Sequence, residues 1–338
     1  MPAHITIRDG SPYWWASTDI WAVPGTDPNG SPGTPVAGQP AYLWAHAANT
    51  GNSLANGTRI DFYWADPSAQ VIAGNATAIG SAFVDLAPEP DPNNPVGQDV
   101  LCLVPWVPVI VNGGHECLLA VAHVPGDTAP IPDPLPNGYV FDPPAHDQIA
   151  QRNITVLVAS MLQAAMVISV RALPRQGKEA FISVEYGGEL DERQLALLGL
   201  RGLQLRPAPQ RAVQVELSLQ PLCGGKERHP HAEEAAEPPG YGAGSEVGGD
   251  MDVEAQGKEP GAAEDDLGAA AGTDADYGNK RGLRVSLPRG TAAAVYAAFS
   301  ADGLRPGQYQ LVHIIERSQG KVAGGVSYVV VQREGDKK

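Results

Sequence analysis

The sequence predicts an all-β protein built from two antiparallel β-sandwiches, and three observations carry that prediction. Glycine and proline are abundant, 39 and 31 of 338 residues, which excludes a helical bundle or coiled coil and suits many short strands joined by turns. Several segments alternate apolar and polar residues with period two, as strands with one buried face do. A stretch rich in Gly, Ala, Pro and acid, 226–279, interrupts that pattern without ending it. With 43% apolar residues, the chain can fill sizeable cores.

The first half reads as strands throughout. Ile60, Phe62 and Trp64 alternate with Arg59, Asp61 and Tyr63, ahead of the turn Asp66-Pro67-Ser68. Leu101–Trp106 and Cys117–Val124 are apolar on both faces, as central strands of a sandwich would be. Pro24-Gly25, Asn56-Gly57 and Asn137-Gly138 are among the turn signals between them. Their irregular spacing suits Greek-key connections, and no internal period is present.

The uncharged stretch 154–170 falls short of the roughly 20 residues of a spanning helix and carries Thr155, Ser160, Gln163 and Ser169. It reads as the last strand of one domain, a short link and the first strand of the next. The expected domains are 1–157 and 158–335, two separate cooperative units.

The second half continues with strands over 167–171 and 181–186. A short helix over 191–200 follows, with Asp191 as its cap and Leu195 and Leu198 on one face. Further strands follow at 213–219, 283–287, 292–299, 309–316 and 326–332. Two immunoglobulin-like antiparallel β-sandwich domains are therefore expected, with the 226–279 segment a long disordered acidic insertion in the second. That segment holds 14 Asp or Glu and 3 Lys or Arg, hence −11 of the chain's −15. It carries too little apolar surface to offset the entropy of ordering. Alternating strands on both sides make it an insertion and not a boundary, since closure entropy grows only with the logarithm of length. The acidic balance argues against nucleic acid or an anionic membrane surface as partner.

Two stretches resemble known families. Asp19-Ile20-Trp21, Ala48-Asn49-Thr50-Gly51, the run Ile60 to Ser68, Gly114-His115-Glu116-Cys117-Leu118 and Ala150-Gln151-Arg152-Asn153-Ile154-Thr155-Val156 occur in the order found in CARDB-type bacterial immunoglobulin-like domains. The resemblance covers about 15–158 and implies a non-catalytic adhesion or binding module of the kind often appended to secreted hydrolases. Leu304-Arg305-Pro306-Gly307-Gln308-Tyr309 is similar to a corner of fibronectin type III and related sandwiches. That likeness implies that Tyr309 hydrogen-bonds back to the backbone across the corner.

Catalytic motifs are missing: no nucleophile elbow, zinc helix, phosphate loop or dinucleotide fingerprint stands in a fitting context. His115-Glu116 has no second histidine at helical spacing, and a Cys117–His115 pair has no orienting acid. Cys102 and Cys117 lie on neighbouring expected strands, where they form either one bridge or two buried thiols. Cys223, at the mouth of the insertion, is the thiol expected to be exposed and reactive. His229 and His231 with Glu227, Glu233 and Glu234 are metal-capable in kind, but a floppy segment lacks the fixed geometry of a site. Asp274 and Asp276 lack calcium-loop spacing.

Tyr13, Trp14 and Trp15 form the sharpest aromatic cluster, either a stacking platform for a sugar or peptide or the closure of one end of the first sandwich. Asn56, Asn75 and Asn153 begin glycosylation acceptor triplets, yet Met1–Gly10 shows no apolar core of a secretory signal. The sequence thus predicts a non-enzymatic adhesion or protein-interaction module, with no cofactor and no metal, for a protein or glycan partner. The rival is a structural subunit of a fibre or surface layer that self-associates through sheet edges.

Overall fold

The structure, a computed structural model, describes residues 2–109, 116–127, 129–162, 165–209, 211–221, 271–273 (backbone only) and 282–334. The insertion 226–279 lies outside the described residues apart from that one short piece of backbone. The chain is all-β, with two sandwiches that belong to one compact unit.

The first sandwich comprises β1 (Ile5–Thr6), β2 (Ile20–Pro24), β3 (Ala41–Asn49), β4 (Ala55–Ala65), β5 (Ala76–Leu86), β6 (Gln98–Leu101), β7 (Cys117–His123) and β8 (Ile149–Arg152). In one sheet β3 pairs with β1, β2 and β6; the other runs β5-β4-β7-β8, antiparallel throughout. Ile5, Ile20 and Leu43 of the first sheet pack against Ile60, Phe62 and Leu118 of the second. The period-two reading of β4 holds here: Ile60 and Phe62 are buried, while Arg59, Asp61 and Tyr63 lie on the outer face.

The strand expected over 101–106 is corrected. The strand covers Gln98–Leu101, one further bond runs from the Cys102 N–H to the Leu43 carbonyl, Leu103 is 77% exposed, and Trp106 then returns in an isolated bridge to Ala41. Pro105 has no N–H for a ladder, which keeps the pairing interrupted just before Trp106. β7 is central as expected, and both its faces are covered. Leu118 and Ala120 face the main core, while Cys117, Leu119 and Val121 pack under Ile131 and Phe141 of the loop that follows. Cys102 and Cys117 are free, buried thiols in these two different clusters, so no bridge joins them.

The second sandwich comprises β9 (Ile154–Val158), β10 (Met166–Arg171), β11 (Lys178–Tyr186), β12 (Arg206–Pro207), β13 (Gln214–Ser218), β14 (Ala271–Thr273), β15 (Gly282–Leu287), β16 (Ala292–Ser300), β17 (Gln308–Ser318) and β18 (Lys321–Gln332). One sheet is β10-β16-β13; the larger is β14-β15-β11-β17-β18-β9, with β12 alongside β17. Ile168, Val170, Val295, Ile314 and Tyr328 fill the space between them. β13 and β15, the strands on either side of the insertion, lie in opposite layers.

The chain passes from β8 to β9 through one residue, Asn153, four residues before the expected boundary at 157. β9 pairs with β18 in parallel, Ile154 opposite Ser327. Asn153 is buried, and its Nδ2 donates to the carbonyls of Ser68 and Gly325, each at 2.9 Å, so one amide holds both halves.

The helix α1 (Glu192–Leu197) is shorter than the sequence suggests, because Gly199 at φ +70° turns the chain. Asp191 caps it: its side chain accepts from the Gln194 N–H while Gln194 reaches back to the Asp191 N–H. Leu195 and Leu198 pack on the outer face of the larger sheet, whereas Leu197 packs on Trp21 and Val23 of the first sandwich. Arg152, buried, donates to the carbonyls of Ser17 and Leu197, and Asp19 accepts from both Arg8 and Arg193. These ties replace the expected separation of the two units. Tyr309 is tied as a corner tyrosine would be, but its hydroxyl accepts from the Leu190 N–H, 119 residues away, instead of bonding across its own turn.

Candidate functional site

The aromatic cluster singled out in the sequence is turned inward. Trp14 and Trp15 are buried against Ile315, and the Trp15 Nε1–H donates to Ser327 Oγ at 2.9 Å. Tyr13 lies on His313 of β17. The three side chains cement the first sandwich to the larger sheet of the second: Trp14 and Trp15 are buried there, while Tyr13 is half-buried with one ring face on His313. They close an end of the first sandwich only in the sense that the second sandwich is the lid.

His115 and Cys223 lie outside the described residues, as do Glu227, His229, His231, Glu233, Glu234, Asp274 and Asp276. Glu116, half-buried, has its carboxyl pushed up to about 7 by burial. Burial likewise drives the Cys117 thiol upward, although Gln151 opposes it, the reverse of what a nucleophile needs. Among the described residues no group of three metal-ligating side chains comes together. Asn153, start of one acceptor triplet, has its amide inside the protein. No helix among the described residues is long and apolar enough to cross a membrane.

An open groove exists elsewhere, on the outer face of β5-β4-β7. Register decides it. Arg59 stands opposite Phe83 on one side and His123 on the other, giving a cross-strand row Phe83–Arg59–His123, with Ser81–Asp61–Val121 as the next row. The following loop, which carries Ile131, Leu135 and Phe141, covers the apolar part of this face and stops short of the polar part. What stays open is a groove of about 330 Å³, floored by Arg59, Phe83 and His123 and walled by Val124, Asp127 and Asp133. Phe83 is 70% exposed.

The polar groups in it are fixed by one another. Arg59 Nε donates to Asp61 Oδ2 at 3.1 Å and Nη2 donates to Asp133 Oδ2 at 2.8 Å. Ser81 Oγ donates to Asp61 Oδ1 at 2.6 Å, and His123 Nε2 lies 3.3 Å from Asp61 Oδ2. Gln148 Nε2 holds Asp127 at 2.9 Å. Burial alone would raise the Asp61 carboxyl; the hydrogen bonds of His123, Ser81 and Arg59 and the guanidinium charge outweigh it and hold the carboxyl below its ordinary value. Burial, reinforced by Asp61, pushes the Tyr63 phenol up to about 12.

Asp127 and Asp133 line the groove with Arg59, and Asp61 stands in the next row bonded to Arg59, Ser81 and His123, so carboxylates outnumber the guanidinium and the groove is acidic. It repels anions, accepts hydrogen bonds from hydroxyls and offers one aromatic face. Ser81 gives its proton to Asp61 and not to His123, so these three do not form a nucleophile–base relay. The sequence signal for this site is a phenylalanine on the polar side of an alternating run, Ser81-Ala82-Phe83-Val84-Asp85.

No family model matches the chain. No curated protein matches it either. Among solved structures, the chain is similar to the CupB6 tip adhesin from Pseudomonas aeruginosa at 10% identity and a TM-score of 0.23, over 99% of this chain and 98% of that one. A likeness of that degree carries neither fold nor function.

Proposed function

We propose that this protein is a non-enzymatic adhesion module that binds a neutral saccharide in the Phe83–Arg59–His123 groove. The observation that carries the reading is the exposed Phe83 ring beside prefixed carboxylates on a rigid three-strand face. A sugar ring stacks its C–H face on an aromatic side chain, and its hydroxyls donate to carboxylates that are already oriented. Because Asp61, Arg59 and Asp133 hold one another, little ordering is needed on binding. The acidic balance of the groove selects against acidic saccharides. The resemblance of 15–158 to CARDB-type modules supports a binding role.

The test is titration calorimetry of the full chain with a panel of neutral and acidic oligosaccharides, repeated on Phe83→Ala. Binding of neutral members, weakened about tenfold or more by the substitution, is expected from the loss of a stacking face. Absence of saccharide binding, binding of basic peptides alone, or equal affinity in the variant overturns the proposal.

A fibre subunit is the second reading, favoured by β5, an 11-residue strand at the end of its sheet that carries the same exposed Phe83. Sedimentation at several concentrations that shows only monomer removes it.

A further inference from the structure

A lysine, a carboxamide and a buried acid meet where the two sandwiches touch. Lys178, first residue of β11, donates from Nζ to Gln70 Oε1 at 2.9 Å. The same Nζ contacts Glu316 Oε1, from the neighbouring strand β17. Glu316 is fully buried, and its Oε2 has no hydrogen-bond partner among the described residues. Gln70 comes from the first sandwich, in a segment pinned by three contacts. Ser68 bridges to Ser169, the Ser68 carbonyl accepts from Asn153, and Gly324 approaches Ala69 so closely that a Cβ there would lie 1.7 Å from the Ala69 carbonyl oxygen. The amide is therefore held against the amine.

An ordinary ion pair accounts for this arrangement poorly. Burying a carboxylate with one lysine and an unused oxygen is unfavourable, because desolvation costs more than one contact returns. Burial raises the Glu316 carboxyl, with Lys178 opposing. A neutral pair, carboxylic acid beside free amine, relieves that cost, and a free amine beside a carboxamide is a nucleophile beside an electrophile.

We propose that Lys178 and Gln70 form an intramolecular isopeptide bond, with Glu316 moving the protons. The Lys178 ammonium gives one proton to Glu316. The freed Nζ attacks Gln70 Cδ, and the Nζ–Cδ bond forms. The second amine proton passes by way of Glu316 to the departing Nε2, the Cδ–Nε2 bond breaks, and ammonia leaves. Glu316 keeps the first proton and stays uncharged in its buried position. No oxidant or cofactor is needed, and atoms and charge balance. Amide aminolysis is slow between free molecules; fixed juxtaposition supplies the large effective concentration and the buried acid the proton transfers. A cavity of about 230 Å³, bordered by Gln70, Lys178, Ser318 and Lys321, adjoins the site and gives ammonia a way out.

The product joins residue 70 of the first sandwich to residue 178 of the second, closing a covalent loop across the junction.

Intact-mass spectrometry of the purified full chain after incubation at neutral pH tests it. The protein should be lighter than its sequence mass, allowing for initiator methionine, by one ammonia. A tryptic digest should lack cleavage after Lys178 and contain one branched peptide joining the Gln70 and Lys178 segments. Lys178→Arg and Gln70→Ala should each show their full sequence mass and no branched peptide, and Glu316→Gln should retain at least ten times more uncrosslinked chain at equal time. Wild-type protein that is folded by circular dichroism yet keeps its full mass, with normal cleavage after Lys178, overturns the proposal. So does an ammonia loss whose fragments map away from Gln70 and Lys178. Because the wild-type chain decides the matter, a variant that fails to fold does not shield the idea.

Discussion

Tyr13 lies face to face with His313, ring centroids 3.5 Å and planes 14° apart. The first residues of one sandwich thus rest on the central strand of the other. His313 Nδ1 is 2.8 Å from Ser327 Oγ, which also accepts from Trp15 Nε1, so the serine's own proton is free for the imidazole. Burial lowers the His313 pKa to about 4, with Glu185 and the Gly187 backbone opposing. The junction is built around a neutral histidine.

Acid should weaken this junction. An unfolded histidine titrates near 6.5 and the folded one near 4, so between those values the unfolded chain binds the extra proton and stability falls as pH falls. The slope from this residue is at most about 1.4 kcal/mol per pH unit. Urea unfolding from pH 7 to pH 4.5 should show a steeper loss in wild type than in His313→Gln. Equal slopes would contradict a neutral buried imidazole.

Trp15 should be among the most costly residues to truncate. Trp15→Ala removes a buried indole and its bond to Ser327, with an expected loss of about 3–5 kcal/mol. Gly325→Ala attacks the same contact from the other side, because a Cβ there would lie 2.5 Å from the indole; about 1–3 kcal/mol is expected from overpacking. Thermal unfolding of both variants checks this, and an unchanged midpoint in either contradicts the packing.

The groove should behave in the opposite way. Phe83 is largely exposed, so Phe83→Ala should alter stability by no more than about 0.5 kcal/mol while binding weakens.

Asp61 orders the groove only while ionised. Its folded pKa is depressed, so its contribution is present above the ordinary carboxylate range and is lost as pH falls through the folded value. Binding should persist to mildly acidic pH and disappear below it, and Asp61→Asn should bind weakly at every pH. Calorimetry across pH distinguishes the two profiles.

The cap of α1 links local and global order. Asp191→Ala should cost about 1 kcal/mol and loosen Leu197 from Trp21, raising amide exchange in Glu192–Leu197 more than in β11. Uniform exchange changes would argue against a local role.

Much of the fold was legible along the chain. Arg59-Ile60-Asp61-Phe62-Tyr63 declares a half-buried strand, and Asp191 with Gln194 three residues on declares a helix start, because period and capping act over a few residues.

What the sequence determined by itself was the all-β class, the alternating faces and the concentration of most of the negative charge in one acidic segment. The tertiary structure alone decided which residues meet. It put β9 in parallel beside β18, turned Trp14 and Trp15 inward, set Phe83 beside Arg59 and His123, and brought Gln70 to Lys178 across 108 residues. Local preferences carry no information about such partners: sheet register and domain docking are fixed by burying complementary faces, and that free energy exists only once distant segments have closed on one another.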